Sequence, residues 1–410
     1  MKHPLNLSDT FIPFERIRRE PRQKVTRSLL LLILFFLLYF ITAAVTEAMI
    51  MAIVSPPKVD VQMQNGKVSG SMQVTPEFVR NSLYMTLVSI FLTFIYCLGI
   101  EKRSVRTMGL TKRRAVPDYL IGVLVGVGLM GGAVLLAWAG GGVTFEGTAA
   151  SVPVLSMVLF IIGWVIQGFS EELTFRGYLL MSAGTHHSPV TGVCVSSLLF
   201  AAAHLGNDGI SVFACVNLTL FGILAALLFL RTDSIWCVAA LHSFWNMAQG
   251  NVFGLKVSGI DVGVTFLRFN MVSGKGWLNG GAFGLEGGAA VTAVLVFGIL
   301  AVFLLPQRKS EPLPPPLPVQ QPFMQQPFMP MPLYPQPPYP QYPQYPQSPQ
   351  YPQYPQYPQY PQYPQSPQYQ QSPQYPQYPQ QPAQPPYMQQ PAQPYLQQQE
   401  PPNQQPPVQQ

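Results

Sequence analysis

The chain is 410 residues long, 48% hydrophobic and only 10% charged, with a formal net charge of +6. Soluble domains carry about a quarter charged residues, so this shortfall, together with apolar runs long enough to cross a bilayer, excludes an ordinary soluble protein. The positive charge is gathered in short segments between the apolar runs, a pattern of membrane orientation rather than of nucleic-acid binding.

Residues 1–27 form a basic segment with Arg16, Arg18, Arg19, Arg22, Lys24 and Arg27. The run LLLLILFFLLYFITAAV, Leu29–Val45, follows it. That run is too long for the apolar core of a cleaved signal and reads as a retained transmembrane helix. Apolar stretches at 28–50, 82–100, 119–139, 153–182, 188–205, 211–230, 234–250 and 288–305 give about eight spans. The predicted fold is therefore all-α, a polytopic transmembrane bundle over 28–305. Lys102, Arg103, Arg106, Lys112, Arg113 and Arg114 follow the second span, and Arg308 and Lys309 follow the last. The positive-inside rule places these clusters and both termini in the cytoplasm, with the loop 140–152 and the Gly-rich 251–287 outside.

In the third span Gly122, Gly126, Gly128 and Gly132 make two small-xxx-small faces suited to close helix packing. Cys97, Cys194, Cys215 and Cys237 stand singly in apolar stretches without metal-ligand spacing and read as small buried hydrophobes. Residues 306–410 form a third region, in which YPQ and SPQ repeats dominate and Glu400 is the only charged side chain beyond Glu311. Proline at every third position disfavours helix, and the remainder is too polar for a core. This composition predicts a disordered, polyproline-II-leaning cytoplasmic tail, either an inert tether or a multivalent ligand for a protein partner.

The fourth span carries SEELTFRG, with Glu171, Glu172 and Arg176 at the end of a greasy run. An ionised residue at mid-membrane costs roughly 2.5–3.5 kcal/mol on insertion scales, so such charges mark function. Arg176 lies four residues after Glu172, one turn along the same face, and can pair with it, while Glu171 faces elsewhere. The fifth span ends in FAAAHLG, with Phe200 and His204, and the seventh contains LHSFWN, with His242 and Asn246 one turn apart. From cytoplasmic turns near 183–188 and 231–234, a rise of ~1.5 Å per residue puts Glu171 ~18 Å, His204 ~24 Å and His242 ~12 Å deep, close enough to meet with tilt. A carboxylate with a histidine can deprotonate water, and a His/Asn pair can donate to an oxyanion, which is peptide hydrolysis without a Ser or Cys nucleophile. Alternatively Glu171, His204 and His242 could hold zinc, although H-E-x-x-H is absent.

These residues resemble the CAAX prenyl protease and bacteriocin-processing (Abi) family of intramembrane proteases. Its pattern E-E-x-x-x-R, F-x-x-x-H and H-x-x-x-N/D is met by EELTFR, FAAAH and HSFWN in order, with the motif core at 153–250. MGLTKRR, DYLIG and GGAFGLEGG extend the likeness to about 105–305. The resemblance implies an all-helical membrane endopeptidase with Glu171 as general base beside His204, and with His242 and Asn246 as oxyanion stabiliser. Glu172 and Arg176 would be orienting residues. It leaves the cofactor as zinc or none, since metal-dependent and glutamate-activated mechanisms are both proposed for the family. It implies membrane lipid and a membrane-associated or lipidated peptide as partners. Eukaryotic members cleave after a prenylated cysteine, whereas many bacterial relatives act in peptide maturation, immunity or regulation. The multispan layout with a low-complexity tail suits a bacterial plasma membrane.

Two other readings belong to different classes: a non-catalytic scaffold acting through the YPQ tail, and a transporter or proton relay, which buried Glu and His also mark. Of the remaining polar residues, His186 and His187 are expected solvated in a turn, Asn207 and Asp208 in a turn with Gly206 and Gly209, Glu47 at the outer interface, and Asn217 in an interhelical hydrogen bond.

Overall fold

A computed structural model describes residues 12–56, 58–64 and 67–305. The low-complexity tail, with its tether and ligand readings, lies outside the described residues.

Helix starts follow local chemistry. Ser28, Thr75, Ser188, Ser211 and Ser234 each precede a helix and accept a hydrogen bond from a backbone N–H of its first turn. Pro76 and Pro189 occupy first-turn positions, where no donor is needed. The short α1 (Ile12–Arg18) leads to α2 (Leu29–Val54), a β1–β2 hairpin (Lys58–Gln64, Lys67–Gln73), α3 (Pro76–Met85) and α4 (Leu87–Phe94), which runs into a π turn at Ile95–Ile100. Next come α5 (Ala115–Ala139), β3 (Val143–Thr148) and α6 (Val154–Glu172), which continues through a π segment, Leu173–Leu180, into α7 (Met181–His186). The remaining elements are α8 (Pro189–Ala202), α9 (Val212–Thr232), α10 (Ile235–Met247), β4 (Leu267–Met271), α11 (Gly276–Asn279) and α12 (Ala289–Leu304).

All eight expected spans are helical. Five stretches are long and apolar enough to cross a membrane: Leu29–Val54, Pro76–Ile100, Ala115–Ala139, Val154–His186 and Val212–Thr232. The chain is thus a multi-pass membrane protein. α8 and α12 are apolar but shorter, at 14 and 16 residues. α10 is buried along almost its whole length and packs against α5 and α6, so it is the central helix of the bundle. The strands were not among the expected elements. β1 and β2 pair antiparallel between two spans, and β3 and β4 pair antiparallel outside the bundle with a bulge between Phe145 and Gly147.

The connections sort to two ends. At one, Arg16 forms a two-pronged pair with Asp233 (2.6 and 3.0 Å), Lys24 N–H donates to Glu101 O (2.7 Å), and Arg18 donates to Thr185 O. There Glu101 and Arg103 form a buried ion pair (2.7 Å), with Ser182 donating to Glu101 and Arg103 reaching Gly177 O. Burial pushes the Glu101 carboxyl above its usual range, against the pull of Arg103 and Ser182. At the other end, Asn279 donates to Gly142 O (2.6 Å) and Asn207 to Ser258 O (3.0 Å). His186 departs from the solvated turn expected of it: it is half-buried, with Nε2 3.1 Å from Val25 O. Glu47, expected at the interface, accepts from Ser89 Oγ (2.6 Å). Asn217 bridges α9 to the start of α12, donating to Glu286 O and Gly288 O and accepting from Thr292, as expected.

The glycine faces of α5 are unequal. A Cβ at Gly122 would stand 2.8 Å from the Ala240 methyl and against Cys237 O, and one at Gly126 would strike the Leu241 backbone. These glycines let α5 lie directly on α10. Gly132 leaves ordinary contact distance to Val294 (3.6 Å), and Gly128 faces open space, so the second expected face is not a tight one. Gly122→Val is therefore expected to destabilise the bundle by about 1–3 kcal/mol through overpacking. Gly128→Ala is expected to leave the detergent-solubilised melting midpoint unchanged or slightly raised, and paired thermal melts check both.

Candidate active site

The site is built where α6 and α10 touch. Gly168 permits this contact: a Cβ there would lie 2.7 Å from Ser243 N, so only glycine lets the two backbones meet one turn before Glu171. Immediately after Glu172 the helix widens into the π segment, whose eight residues are all buried. Such widenings recur at functional sites because they redirect side chains within a helix.

Glu172 and Arg176 are both 0% exposed, and Arg176 Nη1 donates to Glu172 Oε1 at 2.9 Å, the pairing the i,i+4 spacing predicts. The same Oε1 lies 2.8 Å from His242 Nδ1. The carboxylate only accepts, so the ring donates Nδ1–H and turns Nε2 toward the cavity. Arg176 also reaches Gly222 O (3.3 Å) and lies over the Phe200 ring, 4.7 Å from its centroid. Glu171 points elsewhere, as expected. Its side chain is 25% exposed, and Oε2 stands 3.7 Å from His242 Nε2. That Oε2 has no hydrogen-bond partner within the protein, while Oε1 accepts from Gln167 Nε2 (2.6 Å). Gln167 Oε1 in turn accepts from Asn246 Nδ2 (3.1 Å).

His204 sits just past the end of α8, half-buried, with Nδ1–H donating to Phe200 O (2.9 Å), so its Nε2 is free. The rings of His204 and His242 lie against the same Phe200 ring, at 4.9 and 5.8 Å between centroids. Glu171, His204, His242 and Asn246 all line one cavity of about 180 Å³. The four expected cavity residues are therefore brought together, with Glu172 and Arg176 behind them.

Gln167, Glu286 and Ser258 also line this cavity and were not singled out in the sequence. Gln167 had a readable signal, a polar residue four before Glu171 on the same helical face. Glu286 lay within the GGAFGLEGG stretch of the likeness but carried no spacing signal of its own, and Ser258 had none, because both arrive from outside the α-helices. Among the described residues no three His, Cys, Asp or Glu side chains gather as a metal-binding group. Glu171, His204 and His242 thus do not present a three-donor zinc set, and no step below is routed through a metal.

Residues 153–248 match the family described as type II CAAX prenyl endopeptidase Rce1-like. The likeness covers this segment and not the rest of the chain. No curated protein and no solved structure matches the chain. The Rce1-like segment runs from the start of α6 to the end of α10 and holds all six residues singled out in the sequence. The match supports a peptidase embedded in a multi-pass membrane protein.

Removing one partner of the buried Glu172–Arg176 pair strands the other charge, at a cost of about 3–5 kcal/mol. Arg176→Ala is expected to lose that much stability in denaturant titration of the solubilised protein. Glu172→Gln combined with Arg176→Met is expected to recover much of it.

Proposed function

We propose that the protein is a glutamate-activated intramembrane endopeptidase that hydrolyses a peptide bond of a membrane-associated or lipidated polypeptide. The observation that carries this reading is a carboxylate oxygen, Glu171 Oε2, without a protein partner and 3.7 Å from an imidazole nitrogen, inside a cavity lined by four helices of an Rce1-like segment. Glu171 takes a proton from water, and the water oxygen attacks the scissile carbonyl carbon. His204, lining the same cavity, holds that water through its free Nε2. The carbonyl oxygen becomes an oxyanion, which a doubly protonated His242 meets with Nε2–H and Asn246 with its second amide hydrogen. Collapse of the intermediate breaks the C–N bond, and Glu171 returns its proton to the departing amine. Gln167 fixes Glu171 through Oε1, and the Glu172–Arg176 pair fixes His242.

Glu171→Gln keeps the shape and removes the base, so cleavage is expected to fall by about 10²–10⁴-fold. Asn246→Ala is expected to lose about 10²–10³-fold through the oxyanion. Comparative membrane proteomics of cells carrying wild type or Glu171→Gln identifies peptides that disappear, and normal processing by the Glu171→Gln protein would sink the reading.

The reading includes a plasma-membrane location with both termini in the cytoplasm. Arg16, Lys24, Glu101, Thr185, Asp233 and Phe303 lie at one end of the bundle, joined by the hydrogen bonds above and by Arg231 to Phe303 O (3.4 Å). That end carries the basic clusters, which the positive-inside rule retains in the cytoplasm. Arg113→Cys is expected to resist an impermeant thiol reagent in intact cells, and Lys275→Cys to react with it.

A further inference from the structure

Glu286 is a buried charge at the cavity that the reaction above does not use. It stands in the turn Leu285–Gly287 ahead of α12, outside the Rce1-like segment, and is 7% exposed. Its Oε2 accepts from Ser258 N (2.7 Å) and Ser258 Oγ (2.8 Å), and its Oε1 from Trp245 Nε1 (3.4 Å). All three partners donate to the carboxylate oxygens. Trp245 is three residues from His242 on α10, and Glu286 lines the same cavity as both. The cavity wall includes Glu171 and Glu286 but no Lys or Arg, and Arg176 is spent on Glu172 behind it.

Resting on the endopeptidase reading, we propose that Glu286 is a specificity-determining residue, which makes the cavity reject a carboxylate beside the scissile bond and accept neutral or cationic side chains there. The reason is electrostatic. A second negative group brought next to Glu286 and Glu171 meets two like charges in a low-dielectric space, where the cationic His242 is already held by Glu172 and turned to the oxyanion. A neutral side chain meets no such penalty, and a cationic one is attracted.

The test uses the full chain in phosphatidylcholine vesicles. A mixed-sequence peptide library anchored by one acyl chain first identifies a cleaved bond. That peptide is then remade with Gln, Lys or Glu at each of the two residues on either side of the bond. The readout is the ratio of kcat/KM for the Gln peptide to that for the Glu peptide within each variant, so that loss of overall activity cancels. Wild type is expected to disfavour Glu by about tenfold or more at one or more of these positions. Glu286→Gln is expected to bring that ratio near one, whereas Ser258→Ala, which loosens the loop but keeps the charge, retains it. Equal cleavage of Glu and Gln peptides by wild type overturns the inference, as does a ratio unchanged in Glu286→Gln or lost equally in Ser258→Ala. Glu171→Gln is the separate control. If it still cleaves, the endopeptidase assignment fails, and if wild type cleaves no library member, both fail.

Discussion

One oxygen atom organises this membrane domain. Glu172 Oε1 receives Arg176 Nη1 from its own rod and His242 Nδ1 from α10, in a place where neither Glu172 nor Arg176 is exposed. A lone charge at that depth would oppose insertion, and pairing it with a guanidinium removes most of the penalty. The second donor makes the pair more than a neutralised charge. It fastens α10 to the rod at one angle and fixes which imidazole nitrogen faces the cavity. With Glu172 spent in this way, its neighbour Glu171 keeps an oxygen without a protein partner at the cavity. Two identical side chains, adjacent in sequence, thus stand in opposite surroundings, because successive helical positions point about 100° apart.

What the sequence disclosed follows from how local each feature is. The Glu172–Arg176 contact was readable because four residues make one turn. The bond from His242 to Glu172 spans 70 residues of sequence, and no period connects them. Sequence brought both to one depth but could not say which nitrogen met which carboxylate. Gly122 and Gly128 looked alike in the chain, yet one abuts α10 and the other faces open space. Which face of an all-apolar helix turns inward is a tertiary fact when the bilayer is as apolar as the neighbours. The π segment after Glu172 was invisible for a related reason, since LTFRGYLL differs little in composition from an α-helical run.

The cavity has two kinds of wall with separate origins. The groups proposed to react and their supports come from α6, the end of α8 and α10, all within the Rce1-like segment. Its remaining surface includes Val79 and Leu83 of α3 and Val257, Ile260 and Glu286 from the long loop before α12, all outside that segment. Val79, Leu83, Phe160, Trp164, Val257 and Val262 form a small apolar cluster of their own, distinct from the main core. The flanking elements therefore close the cavity through contacts independent of the carboxylate–imidazole hub. The proposed bond hydrolysis would depend on the hub holding its geometry to a fraction of an ångström, whereas the proposed selection would depend on the shape and charge of walls that can change without disturbing it. A fold divided in this way can keep one reaction while its outer helix and loop are altered for another substrate.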